Sequence, residues 1–212
     1  MLTKKHNSQE AAIASYDIAD IAAGTGIINF YAGNTVDLKL LSNVRYYSDD
    51  VYLYNTFNDS SKYVLYLDID FDVTINKPIQ IGGLCVVNIP MARNGGSTGG
   101  DGTTYIRPDV RIRKYDGTTE TDLAVASGSV FSGAEGGTYT YNMFAVDLDI
   151  PDTQFKAGEI LRLTVEGWAK GGGTGPPQIR LGNDPMNRTA GWDTSGDVPS
   201  NLIFQLPTRI DL

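Results

Sequence analysis

The sequence contains very little cysteine or histidine: Cys85 and His6 are the single residues of each type among 212. One thiol cannot form a disulfide within the chain, and one Cys with one His cannot supply the Cys₂His₂ or His₃ ligands of a zinc site. A Ser-His-Asp triad would have to use His6, which lies in a polar N-terminal stretch. Because Cys85 stands in the apolar run LCVV, we expect it to be a buried core thiol.

Long apolar runs and excess basic charge are also missing. No run approaches the ~20 apolar residues that a membrane-spanning helix needs. The N-terminal stretch MLTKKHNSQEAA has no apolar segment after its lysines, so we expect no secretory signal. The formal net charge is −8, and because phosphate backbones repel an acidic chain, nucleic acid is not an expected partner. We expect a soluble protein, made in a cytoplasm, with no membrane partner.

From residue 26 onward the chain consists of short runs rich in β-branched and aromatic residues, separated by Gly, Pro and Asp turns. Such runs are typical of a sandwich or barrel, and the absence of alternating helical segments argues against α/β folds. About ten strands suit an all-β, two-sheet antiparallel β-sandwich of the jelly-roll type. The predicted strands are GIINFYAG, VDLKLL, VRYY, VYLY, KYVLYLDIDFDVTI, IGGLCVVNIPM, TTYIRPDVRIRKY, TDLAVAS, TYTYNMFAVDLDI, EILRLTVEGWA, PQIRLG and SNLIFQL.

The first residues differ from the rest of the chain. Ser8 is suited to cap a short helix in the alanine-containing stretch EAAIASYDIADIAA, and Gly24 then ends it. We therefore predict a partly helical N-terminal arm over 1–23 and a jelly-roll β-sandwich domain over 24–212. Two glycine-rich stretches, 93–104 and 169–177, lack the Gly-Lys-Ser/Thr of a phosphate-binding loop and are predicted to be surface loops.

Asp68, Asp70 and Asp72 occupy every second position of the stretch KYVLYLDIDFDVTI. An EF-hand loop that began at Asp68 would require glycine and glutamate where this chain has Val73 and Ile79. The alternate residues of the stretch are wholly apolar, and successive side chains of a strand point to opposite faces. The pattern therefore predicts a half-buried strand with three carboxylates on its polar face.

Several charged residues alternate with apolar ones on other predicted strands; they are Arg111, Arg113, Asp147, Asp149, Arg162 and Glu166. The arginines among them are candidate partners for the three aspartates. We predict cross-strand Asp–Arg pairs on an exposed sheet face, where each pair contributes about 0–1 kcal/mol. A contact surface for a basic partner, a metal site and paired catalytic carboxylates are the alternatives. The presence of only two tryptophans, Trp168 and Trp192, counts against a glycosidase cleft.

Two further groups of residues are candidate binding sites. The irregular segment 181–199 carries oxygen-bearing side chains that suit calcium, although its turn-forming residues favour a structural loop; they are Asn183, Asp184, Asn187, Asp193 and Asp197. Tyrosines in predicted strands would either form a platform for sugar or pack half-buried; they are Tyr46, Tyr47, Tyr52, Tyr54, Tyr139 and Tyr141.

Four stretches, DIADIAAGTGIINFYAG, AGEILRLTVEGWAK, LGNDPMNR and NLIFQLPTRIDL, together resemble virion structural proteins of tailed bacteriophages. The resemblance is to jelly-roll capsid decoration (cement) proteins in particular, and it spans most of the chain. Its most distinctive parts are LGNDPMNR and the closing FQLPTRIDL. It implies a protein, often trimeric, that binds the capsid exterior and bridges major capsid subunits. It implies no catalytic residues.

We therefore predict a capsid decoration protein, located on the capsid exterior of a virion, whose partner is the major capsid protein and which forms a homotrimer. We predict that it is not an enzyme and that it has no catalytic, cofactor-binding or metal-binding residues. The alternative is a carbohydrate- or receptor-binding jelly-roll module of a phage virion. A third hypothesis is a glycoside hydrolase that depends on Asp68, Asp70 or Asp72.

Overall fold

The computed structural model describes residues 25–57, 60–95, 103–133, 138–171, 177–193 and 197–209. All regular structure in these ranges is β, which confirms the predicted all-β class; no helix among them is long and apolar enough to cross a membrane. The strands are β1 (Thr25–Asn34), β2 (Lys39–Ser42), β3 (Tyr52–Thr56), β4 (Val64–Thr74), β5 (Ile79–Asn94), β6 (Thr104–Tyr115), β7 (Glu120–Ser127), β8 (Phe131–Gly133), β9 (Thr140–Phe155), β10 (Ile160–Lys170), β11 (Gln178–Gly182) and β12 (Leu202–Arg209).

The strands are hydrogen-bonded in the order β3-β11-β5-β12-β1-β2-β4-β10-β6-β7, with β9 added on β5 and β8 on β6. The β2–β4 link is parallel and consists of one pair, Leu40 with Asp72, whereas the other pairings are antiparallel. The two halves on either side of this link bury their apolar faces in one common core. The architecture is thus a β-sandwich whose two sheets are joined at one corner.

The core forms because the long strands alternate apolar and polar residues with period two, as a half-buried strand requires. In β6 the buried residues Ile106, Val110 and Ile112 alternate with half-buried polar ones. Cys85 is fully buried in the same core, as predicted. Burial raises the pKa of the Cys85 thiol to about 12. His6 lies outside the described residues.

The predicted strand around the three aspartates is confirmed over β4, although its apolar face is interrupted near the N-terminal end. Tyr66 is an extra residue opposite the Gly167–Trp168 step of β10, which is a β-bulge. The bulge reverses the alternation, so that Leu65 pairs with Trp168 on the outer face and is 36% exposed. Tyr66 instead packs against Phe57.

Other sequence predictions need correction or lie outside the described residues. VRYY is not a strand, and the VDLKLL strand begins only at Lys39, because Thr35 N–H donates to Leu38 O in the tight turn between β1 and β2. The strand β8 was not predicted. The arm over 1–23 falls outside the described residues, as do the central parts of both glycine-rich stretches. The boundary at residue 24 stays a prediction.

Candidate functional site

The outer face of β4, β10, β6 and β7 carries a network of ion pairs, which we call the ionic face. Register places Asp72 opposite Arg162, and Asp70 opposite Thr164. Arg162 donates from Nε and Nη2 to the two carboxylate oxygens of Asp72, at 2.8 Å each. Arg162 also lies 3.3 Å from Asp70 and 3.0 Å from Glu120. The predicted Asp–Arg pairs therefore exist, and Arg162 is their principal cation.

Arg111 and Arg113 lie on the same face but chiefly pair elsewhere. Arg111 donates to Glu166 at 2.7 Å, and Arg113 donates to Asp122 at 2.8 Å. Arg113 approaches Asp70 only to 3.9 Å. The side chains of this network are between 8% and 44% exposed, so each pair is screened by water and contributes little alone. The arrangement mainly fixes strand register.

The calcium interpretation of the irregular segment after β11 is not supported by its geometry. Asp184 is fully buried, and its Oδ2 accepts hydrogen bonds from Arg188 N and Nε at 2.6 and 2.9 Å. Asn183 Nδ2 donates to Asn34 Oδ1 at 2.8 Å, and Asn187 Oδ1 accepts from Ser200 N at 2.7 Å. Within the described ranges, no group of three or more His, Cys, Asp and Glu is placed to hold a metal ion. The first half of this segment therefore serves as a structural loop.

The turn after β1 and the segment that follows β2 expose an unusual amount of apolar surface. We call this surface the apolar turn. Its exposed side chains are Val36, Leu38, Val44 and Tyr47, whose exposed fractions are 90%, 58%, 66% and 70%. Sequence reasoning missed it because VDLKLL and VRYY both resemble strands. The signal available in the sequence is the turn-forming GNT that immediately precedes Val36.

The backbone that presents the apolar turn is held by the LGNDPMNR loop. Arg188 donates to Ser48 O and lies over the Tyr47 ring, with its guanidinium carbon 5.6 Å from the ring centroid. Ser48 Oγ in turn donates to Asn34 Oδ1 at 2.7 Å. The hydrogen bond to Asp184 raises the pKa of Arg188, which keeps the guanidinium charged. Asn34, Tyr47 and Ser48 are thus held by contacts with one another and with this loop.

A second candidate site is a cleft of ≈ 700 Å³, which we call the aromatic cleft. It forms where β9, β5, β11 and β3 lie side by side. Register places Tyr141, Ala92, Arg180 and Tyr54 in one row across these four strands. Ala92, in the middle of this row, is fully buried. The lining is Thr138, Tyr139, Thr140, Tyr141, Arg180, Gly191, Trp192, Asp193, Asp197 and Val198.

The centre of the aromatic cleft is Arg180, which is held between two tyrosine rings. Its guanidinium carbon lies 4.2 Å from the Tyr52 ring centroid and 3.5 Å from that of Tyr139. Its Nη1 donates to Gly191 O at 2.9 Å. Cation–π contact of this kind fixes the plane of the guanidinium. Burial raises the pKa of Tyr139, although the positive charge of Arg180 acts in the opposite direction.

Trp192 forms the buried wall of the aromatic cleft. It is 2% exposed, and its ring centroid lies 5.0 Å from Tyr141 and 6.1 Å from Tyr52. Its Nε1 donates to Val198 O at 2.9 Å, so that its one polar atom is satisfied. Asp193 Oδ2 accepts a hydrogen bond from Val198 N at 3.0 Å, which joins two residues of the lining.

The tyrosines that the sequence offered either as a sugar platform or as half-buried packing lie in different parts of the structure. Tyr52, Tyr139 and Tyr141 contribute to the aromatic cleft, whereas Tyr47 belongs to the apolar turn. Tyr46 lies beside β2, where its hydroxyl donates to Leu40 O at 3.2 Å. Sequence patterns did not group Arg180 or Trp192 with the tyrosines, because strand register brings Arg180 to them and the segment after β11 brings Trp192.

Neither a protein-family model nor a curated protein sequence matches this chain. Solved structures match in fold. A CocE/NonD family hydrolase from Staphylococcus aureus has a TM-score of 0.50 and 11% identity, over 87% of this chain and 37% of the hydrolase. An aminopeptidase from a marine-sediment Thaumarchaeota archaeon has a TM-score of 0.53 and 9% identity, over 87% of this chain and 37% of the aminopeptidase. This chain thus spans little more than a third of either protein.

The prediction that the chain is not an enzyme is contradicted by these two structures. Its fold recurs in a hydrolase and in an aminopeptidase, so an all-β sandwich gives no ground for excluding catalysis. At 11% and 9% identity the likeness shows the fold alone. The VP2 protein of infectious bursal disease virus also matches, over 99% of this chain and 40% of VP2, with 10% identity and a TM-score of 0.37. No conclusion rests on a TM-score of that size.

Proposed function

We propose that this chain is a virion structural protein, and specifically a capsid decoration protein that binds the major capsid protein through the apolar turn. The observation that carries the proposal is the concentration of four exposed apolar side chains between residues 36 and 47. Scattered apolar residues are normal on a protein surface, but four highly exposed ones within residues 36–47 mark a candidate interaction segment. A partner that covered the cluster would remove this surface from water, which stabilises the complex.

The support from the LGNDPMNR loop fits this role. Ordered side chains lose less conformational entropy on binding, because their backbone is already fixed. Arg188 and Asp184 of the loop hold the segment that carries Tyr47. The stretch through which the sequence most resembles decoration proteins therefore lies directly behind the proposed contact surface.

The ionic face is a less suitable surface for the capsid. Its paired carboxylates each lie within ion-pair distance of Arg111, Arg113 or Arg162 of the same face. A partner that covered them would have to desolvate charges already satisfied, at a cost that new contacts rarely repay. We propose that the ionic face stays in water on the capsid exterior.

The homotrimer and the role of the arm belong to the same proposal. A trimer would cover strand edges and add buried area. The arm over 1–23 would order on the capsid and extend the contact area, as segments that fold on binding do. Sedimentation equilibrium would report the mass of the assembly in solution.

The test is binding to undecorated capsids assembled from the major capsid protein of the same virus. Saturable binding at a fixed copy number per capsid is expected for the unmodified chain. The double variant Val36→Asp/Leu38→Asp should reduce affinity at least ~tenfold, because it places two charges in the contact. The matched control is Val125→Asp on β7, where a valine of similar exposure, 54%, lies away from the turn.

Two outcomes would refute the proposal. One is that the unmodified chain does not saturate capsids at any fixed stoichiometry. The other is that the double variant binds capsids as tightly as Val125→Asp does. A variant that lacks residues 1–23 separates the role of the arm from that of the apolar turn. Weaker capsid binding with an unchanged sandwich supports a contact made by the arm, whereas equal binding removes the arm from the proposal.

A further inference from the structure

The aromatic cleft has features that the proposed decoration function does not use. Its lining shares no residue with the apolar turn. It combines aromatic rings, one guanidinium, threonine hydroxyls and two carboxylates around a volume of ≈ 700 Å³. Ligand pockets usually have volumes of about 300–1,000 Å³, with apolar walls and a few polar groups that fix orientation. We propose that this cleft is a binding site for a neutral saccharide.

The first reason is the mixture of ring surfaces and hydrogen-bonding groups. A pyranose ring has an apolar face of C–H groups and an equator of hydroxyl groups that both donate and accept hydrogen bonds. Tyr139 and Tyr141 provide half-buried ring surface for such a face. Arg180 is a pure donor and Asp197 is a pure acceptor, and a hydroxyl can satisfy either.

The second reason is that the polar groups of the cleft are held in place before a ligand arrives. Arg180 is fixed between Tyr52 and Tyr139 and donates from Nη1 to Gly191 O. Tyr139 Oη donates to Gln178 Oε1 on β11. Binding to a site of fixed side chains costs less conformational entropy than binding to mobile ones.

The third reason is the negative charge of the chain and of the cleft, which favours a neutral ligand. The chain has a formal net charge of −8, which repels anions at long range. Within the cleft, the carboxylates of Asp193 and Asp197 outnumber the single guanidinium of Arg180. A phosphate or uronate would approach two negative charges for each positive one, whereas a neutral sugar avoids this repulsion.

The experiment titrates the whole chain with defined neutral oligosaccharides and follows binding by saturation-transfer NMR and calorimetry. The probes are maltotriose, cellotriose, N-acetylchitotriose, mannotriose and galactotriose, with trigalacturonate as the charged counterpart. At least one neutral probe should bind saturably, and trigalacturonate should bind at least ~tenfold more weakly than its neutral counterpart galactotriose. Absence of binding by all the neutral probes overturns the proposal, and so does preference for trigalacturonate.

Variants test whether the aromatic cleft is the place of binding. Tyr139→Leu removes ring surface, and Arg180→Lys retains the charge but loses the planar group that stacks between two tyrosines. Each should weaken binding at least ~tenfold. The matched control is Tyr47→Leu, an exposed tyrosine outside the cleft, which should bind as the unmodified chain does.

Folding of each variant is checked by thermal unfolding. If a cleft variant fails to fold, the place of binding is found instead from the changes in amide NMR chemical shifts of the unmodified chain when the probe binds. Shifts centred on residues 138–141 and on 180 support the proposal, and shifts centred elsewhere overturn it. Capsid binding by Tyr139→Leu should be unchanged, which separates failure of this inference from failure of the decoration proposal.

Discussion

Arg162 on β10 binds Asp72 on β4 through two parallel hydrogen bonds of 2.8 Å, from Nε and from Nη2 to separate carboxylate oxygens. The pair is about one quarter exposed, with side-chain exposures of 22% and 31%. The hydrogen bonds to Asp72 raise the pKa of Arg162, so that the guanidinium is charged at any pH at which the protein folds. A bidentate geometry of this kind is stronger and more directional than a single contact.

Removal of Arg162 should lower the free energy of unfolding. Arg162→Met leaves Asp70, Asp72 and Glu120 without their shared cation, and we expect a loss of about 1–2 kcal/mol. Asp72→Asn should cost about 0.5–1 kcal/mol. In urea unfolding, the double variant should lose less free energy of unfolding than the two single variants lose together. The difference, which is the coupling energy of the pair, should be about 0.5–1 kcal/mol.

The control for this cycle is Asp147→Asn on β9, an exposed carboxylate on a strand outside the ionic face. This substitution should change the free energy of unfolding by no more than about 0.5 kcal/mol. Strict additivity of Arg162→Met and Asp72→Asn would show that the pair contributes no interaction energy.

Asp184 should be the most sensitive position of the LGNDPMNR loop. It is fully buried and accepts hydrogen bonds from Arg188 N and Nε, and Asp184→Ala would leave these donors without an acceptor. We expect a loss of about 2–3 kcal/mol in chemical unfolding, because hydrogen bonds to a buried charge are costly to lose. Arg188→Met should cost less, because Asp184 keeps the hydrogen bonds from the backbone N–H groups of Met186 and Arg188. An Asp184→Ala variant as stable as the unmodified chain would contradict a structural role for the loop.

Stability should fall at alkaline pH through Cys85 and Tyr46. Burial raises the pKa of each to about 12, from ordinary values of 9.0 and 10.0. Between the ordinary and the raised pKa, the folded chain keeps a proton that the unfolded chain has released. Stability falls with pH wherever the folded state binds more protons. The contribution of Cys85 is therefore complete below pH 9.0 and is lost as the pH rises towards about 12.

The measurement is urea unfolding under reducing conditions between pH 7 and pH 11. The unmodified chain should lose up to about 1.4 kcal/mol per pH unit for each such group. Cys85→Ala should be less stable at pH 7 because it leaves a cavity, yet its stability should decline less steeply above pH 9. Tyr46→Phe should show the same effect above pH 10. Identical slopes in the variants and the unmodified chain would rule out these two groups as the cause.

Much of the local structure is encoded in short stretches of sequence. Period-two alternation is enough to identify β4 and to place Asp68, Asp70 and Asp72 on its polar face, because a strand has only two faces. An apolar neighbourhood is likewise enough to predict that Cys85 is buried. The same local reasoning fails at VRYY, where strand-forming residues lie outside any sheet. Propensity is overridden there by the hydrogen bonds that hold the segment beside β1.

The all-β class, the faces of the long strands and the position of the carboxylates follow from residue patterns along the chain. Which residues meet across strands follows from the fold. It paired Asp72 chiefly with Arg162, and it gathered Tyr52, Tyr139, Arg180 and Trp192 into one cleft. The physical reason is that alternation along a strand fixes the direction of each side chain but not its neighbour. The neighbour depends on strand order and register, which arise from pairings between residues far apart in the chain.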